Sequence, residues 1–222
     1  DLFFSAFLVM IGFGLILLQP DFGSGLVMVC SIVIMVLAAD SPLSYFVRVG
    51  ILGAGGLGGL ILSAPYRLAR ITSFIDPWKD PLGAGFQIIQ SLFAIAPGGI
   101  LGVGFDNSMQ KHFYLPEPQT DFIFAIYAEE FGFIGSVLLI GLFIAVIYQG
   151  VKIAKNCTDP YLCYIAIGLT SLFAIQVMIN LGVVVGLFPV TGITLPFISY
   201  GGSSLMVMMG SMGLLMSIAK ES

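Results

Sequence analysis

Long apolar runs separated by short polar breaks make up most of the chain. A helix needs about 20 apolar residues to cross the hydrocarbon core of a membrane. Six runs reach or approach that length, at residues 2–18, 22–39, 43–63, 122–151, 161–188 and 198–219. The pattern therefore predicts an all-α, polytopic transmembrane protein with six spans in a single domain, residues 1–222. Pro20 and Asp21 separate the first two runs, and because proline stops a helix and aspartate caps one, we expect a tight hairpin there.

The longest connection, residues 64–121, lies between the third and fourth runs. Lys152 and Lys155 follow the fourth run and Lys220 follows the sixth. Since cytoplasmic ends carry excess lysine and arginine, the C-terminus is expected in the cytoplasm and the long loop outside. Inside that loop, Leu82, Phe86, Ile89 and Phe93 recur at helical spacing, while Gln87, Gln90 and Ser91 share another face. This pattern predicts a short helix lying in the membrane interface.

Composition excludes two broad classes of protein. Hydrophobic residues make up 58% of the chain and charged residues only 9%, whereas soluble domains carry about a quarter charged residues. The formal net charge is −4, so the chain lacks the basic surface that binds nucleic acid.

Asp121 is the first candidate for chemistry, because it stands at the outer end of the fourth run after a proline-rich approach. At 100° per residue, Ala125 and Ala128 would lie beneath it and leave space. A carboxylate at a helix N-terminus stays ionised more easily, as a proton acceptor must. The alternative is that Asp121 only caps the helix. Glu129 and Glu130 lie deeper, where carboxylates are costly, and either face a polar cavity or pair with a cation of another span.

Residues 189–196 interrupt the helical pattern at membrane depth, where irregular backbone persists only if protein buries it or it lines a water-filled cavity. Ser199 and Ser203 follow, and their hydroxyls at a helix start are candidates to hold a sugar or phosphate. Alternatively, the intervening glycines permit close helix packing. Gln176 and Asn180 lie within the fifth run, where hydrogen bonds to a neighbouring helix are expected.

Cationic side chains in the long loop form the remaining candidate site. They either bind an anionic group such as a lipid pyrophosphate or contact lipid headgroups, and they are Arg67, Arg70, Lys79 and Lys111.

Several stretches together resemble one known family. They are QPDFG (19–23), RITSFIDP (70–77), LPEPQTDFIF (115–124), EEFG (129–132), GLFPVTG (186–192) and LPFISYGGSS (195–204). In this order they resemble the SEDS family (shape, elongation, division and sporulation), and the division and sporulation members more than the elongation members. The resemblance covers essentially the whole chain and implies the C-terminal part of the family fold, with about four N-terminal spans lacking.

The resemblance implies a peptidoglycan glycosyltransferase that polymerises lipid II at the outer face of the bacterial inner (cytoplasmic) membrane. Asp121 matches the family's essential loop aspartate and would act as general base in an inverting transfer. The substrate-binding candidates are Arg67, Arg70, Lys111, Glu117, Ser199 and Ser203. A divalent cation, Mg²⁺ or Mn²⁺, is the expected cofactor if there is one.

The implied partners are lipid II, the nascent glycan strand, membrane lipids and a class B penicillin-binding transpeptidase, with no nucleic acid. A transporter (flippase) of the lipid-linked precursor is the alternative function, because interrupted helices and intramembrane glutamates also suit a transport pathway.

Overall fold

The computed structural model describes residues 11–12, 14–16, 21–39, 72–83, 85–108 and 119–221, and every regular element within them is helical. The main helices are α1 (Phe22–Ala38), a 3-10 turn (Pro77–Lys79), α2 (Phe86–Gly98), α3 (Ile123–Asn156), α4 (Pro160–Val184) and α5 (Gly202–Glu221), and residues 72–75 form a further short helical turn. The predicted all-α class is confirmed over this part of the chain.

Three of the six predicted spans are confirmed, since α3, α4 and α5 are long and apolar enough to cross a membrane. Helix α1 forms where the second run predicts it, but its 17 residues extend only about 25 Å at 1.5 Å per residue, short of the ~30 Å hydrocarbon core. The run at 43–63 and most of the run at 2–18 lie outside the described residues, so spans there stay predictions. The last span begins at Gly202, later than the predicted residue 198.

Helix α4 lies at the centre of the bundle and packs against α1, α3 and α5. Its buried side chains include Phe173, Val177 and Val184, which join the main hydrophobic core. Gly150 of α3 approaches α4 so closely that an added Cβ would lie 2.3 Å from the Thr170 hydroxyl oxygen. The small residue therefore sets the spacing between α3 and α4.

Helix α3 is broken at Gly132, which the apolar run did not predict. Gly132 has φ +64° and ψ −160°, a conformation outside the helical region. The neighbouring loop replaces the missing helical bonds: Phe133 N donates to Gly99 O (2.9 Å) and Ile134 N to Ile100 O (3.2 Å), while Glu129 O and Glu130 O accept from Val103 N and Gly104 N (3.0 and 3.1 Å). The break therefore leaves these backbone groups satisfied.

Helix α2 confirms the predicted short helix but corrects the face assigned to it. Ser91, expected on a polar face, is fully buried and its hydroxyl donates to Val184 O at the end of α4. Leu82, expected on the apolar face, lies before the helix and is 88% exposed. The helix packs against α3 and α4, and those contacts, rather than its own apolar periodicity, decide which residues are buried.

Candidate active site

Asp121 lies in a turn just ahead of α3. Phe122 occupies the N-cap position of α3. Asp121 therefore lies one residue before the position from which a side chain ordinarily caps a helix, which was the alternative role for Asp121. The space predicted beneath Asp121 is absent: Ala125 is fully buried and Ala128 is 5% exposed. The helical-wheel extrapolation was wrong because Asp121 precedes the helix, and because protein fills the volume beside the two alanines.

Asn180 of α4 joins the Asp121 turn to the interrupted segment. Its side chain is buried, and its Nδ2 donates to Asp121 O (2.8 Å) and to Ile193 O (2.7 Å). The Asp121 carboxylate reaches the same segment, because a Cβ built on Gly192 would lie 3.7 Å from Asp121 Oδ2. The interrupted segment therefore lies beside the turn that carries Asp121.

A second set of hydrogen bonds joins residues 119–120 to residues 195–200. The Ser199 hydroxyl accepts from Leu195 N (2.7 Å) and donates to Thr120 O (2.6 Å). Tyr200 N donates to Gln119 O at 2.8 Å. The Ser199 hydroxyl, a candidate for substrate binding, therefore bonds to the protein backbone, and residues 119–121 are held beside residues 193–200.

A cavity of about 390 Å³ opens between α1, α4, α5 and residues 192–194. The described residues of its lining carry no charge; they are Ser24, Val27, Met28, Leu172, Gln176, Gly192, Ile193, Thr194, Ser203, Ser204, Val207 and Met208. Gln176 Nε2 donates to Thr194 O (3.1 Å), and the Thr194 and Ser204 hydroxyl oxygens lie 3.0 Å apart. The interrupted segment therefore lines a cavity with a hydroxyl-rich wall, as its irregular backbone predicts.

The N-terminus of α1 closes one side of this cavity. Asp21 caps the helix by accepting from Ser24 N at 3.0 Å, which confirms the sequence prediction. Gly23 approaches the interrupted segment so closely that an added Cβ would lie 2.6 Å from Thr191 O. The glycine therefore allows the start of α1 to pack directly on the cavity wall.

Glu129 and Glu130 lie at the break in α3 and do not line this cavity. Both are buried, with 2% and 6% of their surface exposed. Glu129 Oε2 accepts a hydrogen bond from the Ser108 hydroxyl at 2.5 Å. This bond joins the loop that follows α2 to α3.

The remaining candidates have different outcomes. Ser203 is exposed and lines the cavity, whereas Arg67, Arg70, Lys111 and Glu117 lie outside the described residues. No group of three or more histidine, cysteine or acidic side chains that could hold a metal ion occurs among the residues described. Asn180 was expected to form hydrogen bonds to a neighbouring helix. It bonds instead to the Asp121 turn and to the interrupted segment at Ile193, and its position in an apolar run could not indicate these partners.

Comparison with known proteins gives the family. The chain matches the FtsW/RodA/SpoVE family, described as cell cycle protein, over residues 1–222. Stage V sporulation protein E of Bacillus subtilis (strain 168) is 54% identical over 219 residues, covering 99% of this chain and 58% of that protein. The probable peptidoglycan glycosyltransferase FtsW of Coxiella burnetii (strain RSA 493 / Nine Mile phase I) is 46% identical over 211 residues, covering 94% of this chain and 57% of that protein.

Two solved structures share the fold. A chain of a peptidoglycan synthase complex that coordinates polymerization and crosslinking has a TM-score of 0.76 at 34% identity, covering 97% of this chain and 60% of that one. The rod shape determining protein RodA of Thermus thermophilus has a TM-score of 0.64 at 29% identity, covering 97% and 55%. The chain spans little more than half the length of these relatives, and it belongs to the SEDS family of FtsW, RodA and SpoVE.

Proposed function

We propose that this chain forms the catalytic part of a peptidoglycan glycosyltransferase that polymerises lipid II at the outer face of the bacterial inner membrane. The names of the relatives support the activity. The observation that carries the proposal is the position of the Asp121 carboxylate beside Gly192, which lines the hydroxyl-rich cavity. A carboxylate beside a wall that carries several hydroxyl groups suits a base that deprotonates a sugar hydroxyl.

In the proposed reaction, a hydroxyl oxygen of the acceptor sugar attacks the anomeric carbon of the donor. The new carbon–oxygen bond forms as the bond to the pyrophosphate breaks, and the electron pair leaves with the polyprenyl pyrophosphate. Asp121 takes the hydroxyl proton, which is worth about 10²–10⁴-fold in rate for a positioned base. Attack opposite the leaving group inverts the anomeric centre. The nearby N-terminus of α3 favours negative charge at this position.

The departing pyrophosphate needs cationic stabilisation more than protonation. Because the described residues of the cavity lining carry no charge, we assign that role to cations of the long loop, with Arg67, Arg70 and Lys111 as the candidates. Glu117 and Ser203 remain candidate contacts to the sugars. The described residues provide no cluster of ligands for Mg²⁺ or Mn²⁺, so no step is assigned to a metal ion.

The first prediction concerns the proposed base. In the full-length protein, Asp121→Asn keeps the size of the side chain but removes the proton acceptor, so the rate of lipid II polymerisation should fall at least about 10²-fold. The rate is measured with purified protein and lipid II by separating the glycan products by length.

Asp159→Asn is the matched control for that prediction. Asp159 caps α4 by accepting from Tyr161 N, at the end of the helix remote from Asn180, and asparagine caps equally well. It should leave the polymerisation rate unchanged. Wild-type rates and chain lengths with Asp121→Asn would remove Asp121 from the mechanism.

We propose that the protein works with a class B penicillin-binding transpeptidase, the enzyme class that would crosslink the strands it makes. The similar chain from a complex that coordinates polymerization with crosslinking supports this partner. Lipid II, the growing glycan strand and membrane lipids are the other proposed partners.

A transporter that flips the lipid-linked precursor is the second candidate. The break in α3 beside two buried glutamates favours it, because transporters often build their pathways from discontinuous helices. Translocation of the precursor in vesicles under conditions that prevent polymerisation would support this alternative. Polymerisation in detergent, where there is no second leaflet to flip into, would support the glycosyltransferase.

A further inference from the structure

We infer that Asn180 is a positioning residue, which holds the Asp121 turn at a fixed place relative to the cavity wall. The inference rests on the proposed function of Asp121 as the base. Nδ2 of Asn180 bonds the main-chain carbonyl of Asp121 (2.8 Å) and that of Ile193 (2.7 Å). Ile193 follows Gly192, the residue that the Asp121 carboxylate approaches. One side chain therefore connects the base to the wall it faces.

The chemistry of the asparagine amide suits this role. Its NH₂ group carries two donors at a fixed angle in one plane, so two carbonyl acceptors bonded to it are held in a fixed relation to each other. The side chain is 1% exposed, so bulk water has no access to replace either bond. Because both acceptors belong to the main chain, the bonds fix the course of the backbone and not just a side-chain rotamer.

The amide oxygen of Asn180, Oδ1, is in an energetically unfavourable position. Asn180 Oδ1 is buried without a hydrogen-bond partner among the described residues. A buried acceptor left in this state is unfavourable, and an apolar side chain of similar size would remove the penalty. The two donor bonds, which join segments 59 and 13 residues away in the sequence, explain why an amide stands here.

The test is a graded series in the full-length protein. Asn180→Asp keeps the shape and, when protonated, one donor, whereas Asn180→Leu has none. Because misplacing a catalytic group by about 1 Å costs about 10²-fold, we expect the maximal polymerisation rate to fall about 10-fold with Asn180→Asp and about 100-fold with Asn180→Leu. The lipid II concentration for half-maximal rate should stay within about twofold. Rates are normalised to the folded fraction measured by size-exclusion chromatography.

Thr170→Val is the matched control on the same helix. Thr170 is also buried, and its Oγ1 has no hydrogen-bond partner in the described part of the chain. The change removes a buried polar atom of α4 without removing a bond between segments. It should leave both kinetic parameters unchanged.

The outcomes separate this inference from the proposed function. If Asp121→Asn abolishes activity while both Asn180 variants polymerise at the wild-type rate, only the positioning role is wrong. A half-saturating concentration that rises in step with the loss of rate would also overturn it, since Asn180 would then act in substrate binding. If Asn180→Leu does not fold, the folded Asn180→Asp variant decides. If Asp121→Asn is fully active, the proposed base fails, and the positioning role with it.

Discussion

Ser199 and Ser203 stand four residues apart, one before and one just after the start of the last span, and their hydroxyls make different contacts. Ser199 accepts from Leu195 N and donates to Thr120 O, so it connects the tight turn at 195–199 to the turn that carries Asp121. Ser203 is exposed to the cavity. The two serines therefore allow one chemical change to be tested in a structural and in a binding position.

Ser199→Ala should destabilise the full-length protein by about 1–3 kcal/mol, because the buried residue Leu195 keeps an N–H group that has lost its acceptor. Ser203→Ala should leave the unfolding midpoint unchanged and raise the lipid II concentration for half-maximal polymerisation. Both effects are read from thermal unfolding in detergent and from the polymerisation assay. Equal midpoints for the two variants would contradict the structural role of Ser199.

At the scale of the element, the break divides α3 into a short first half and a long second half. The loop at 98–104 inserts its backbone beside the break, and three glycines allow this approach. An added Cβ would lie 2.2 Å from Ala128 O at Gly98, 2.1 Å from Glu130 O at Gly102 and 2.3 Å from Gly102 N at Gly132. The loop thus fixes the position of the short part of α3 before Gly132, and with it the turn that carries Asp121.

Gly132→Ala should lower the stability of the full-length protein by roughly 1–3 kcal/mol, since φ +64° with ψ −160° is accessible only to glycine. The added methyl would also collide with the backbone of the inserted loop. Gly141→Ala, nine residues further along the same helix, is the matched control, because its Cβ would meet nothing within 4 Å. Thermal unfolding in detergent compares the two variants, and equal midpoints would show that the break is not maintained by Gly132.

At the scale of the whole molecule, the sequence predicted the main helices and the interrupted segment better than it predicted the contacts between them. Apolar runs and capping residues are local signals, and α3, α4, α5 and the Asp21 cap follow from them. The break at Gly132 was missed because a single glycine within a helical run costs only about 1 kcal/mol and usually stays helical. The two partners of Asn180 were missed because they come from distant, non-helical segments, which periodicity does not bring together.

The ends of the bundle allow the proposed orientation to be tested. Ala154, Ala166, Leu215 and Ile218 pack together, so Lys152, Lys155 and Lys220 lie at one end of the bundle, while the turn with Asp121 and the start of α5 lie at the other. Because lysines mark the cytoplasmic side, the Asp121 end should face the outside, where the acceptor glycan is found.

In a full-length protein whose native cysteines are replaced, Ser203→Cys should react with a membrane-impermeant maleimide applied to intact protoplasts. Lys155→Cys should react only after the membrane is opened, because the cytoplasmic end is then accessible. Both positions are exposed in the structure, so burial does not distinguish them, and labelling of both after permeabilisation is the control for reactivity. Labelling of Lys155→Cys alone in intact protoplasts would invert the orientation and place Asp121 on the side where the proposed polymerisation cannot occur.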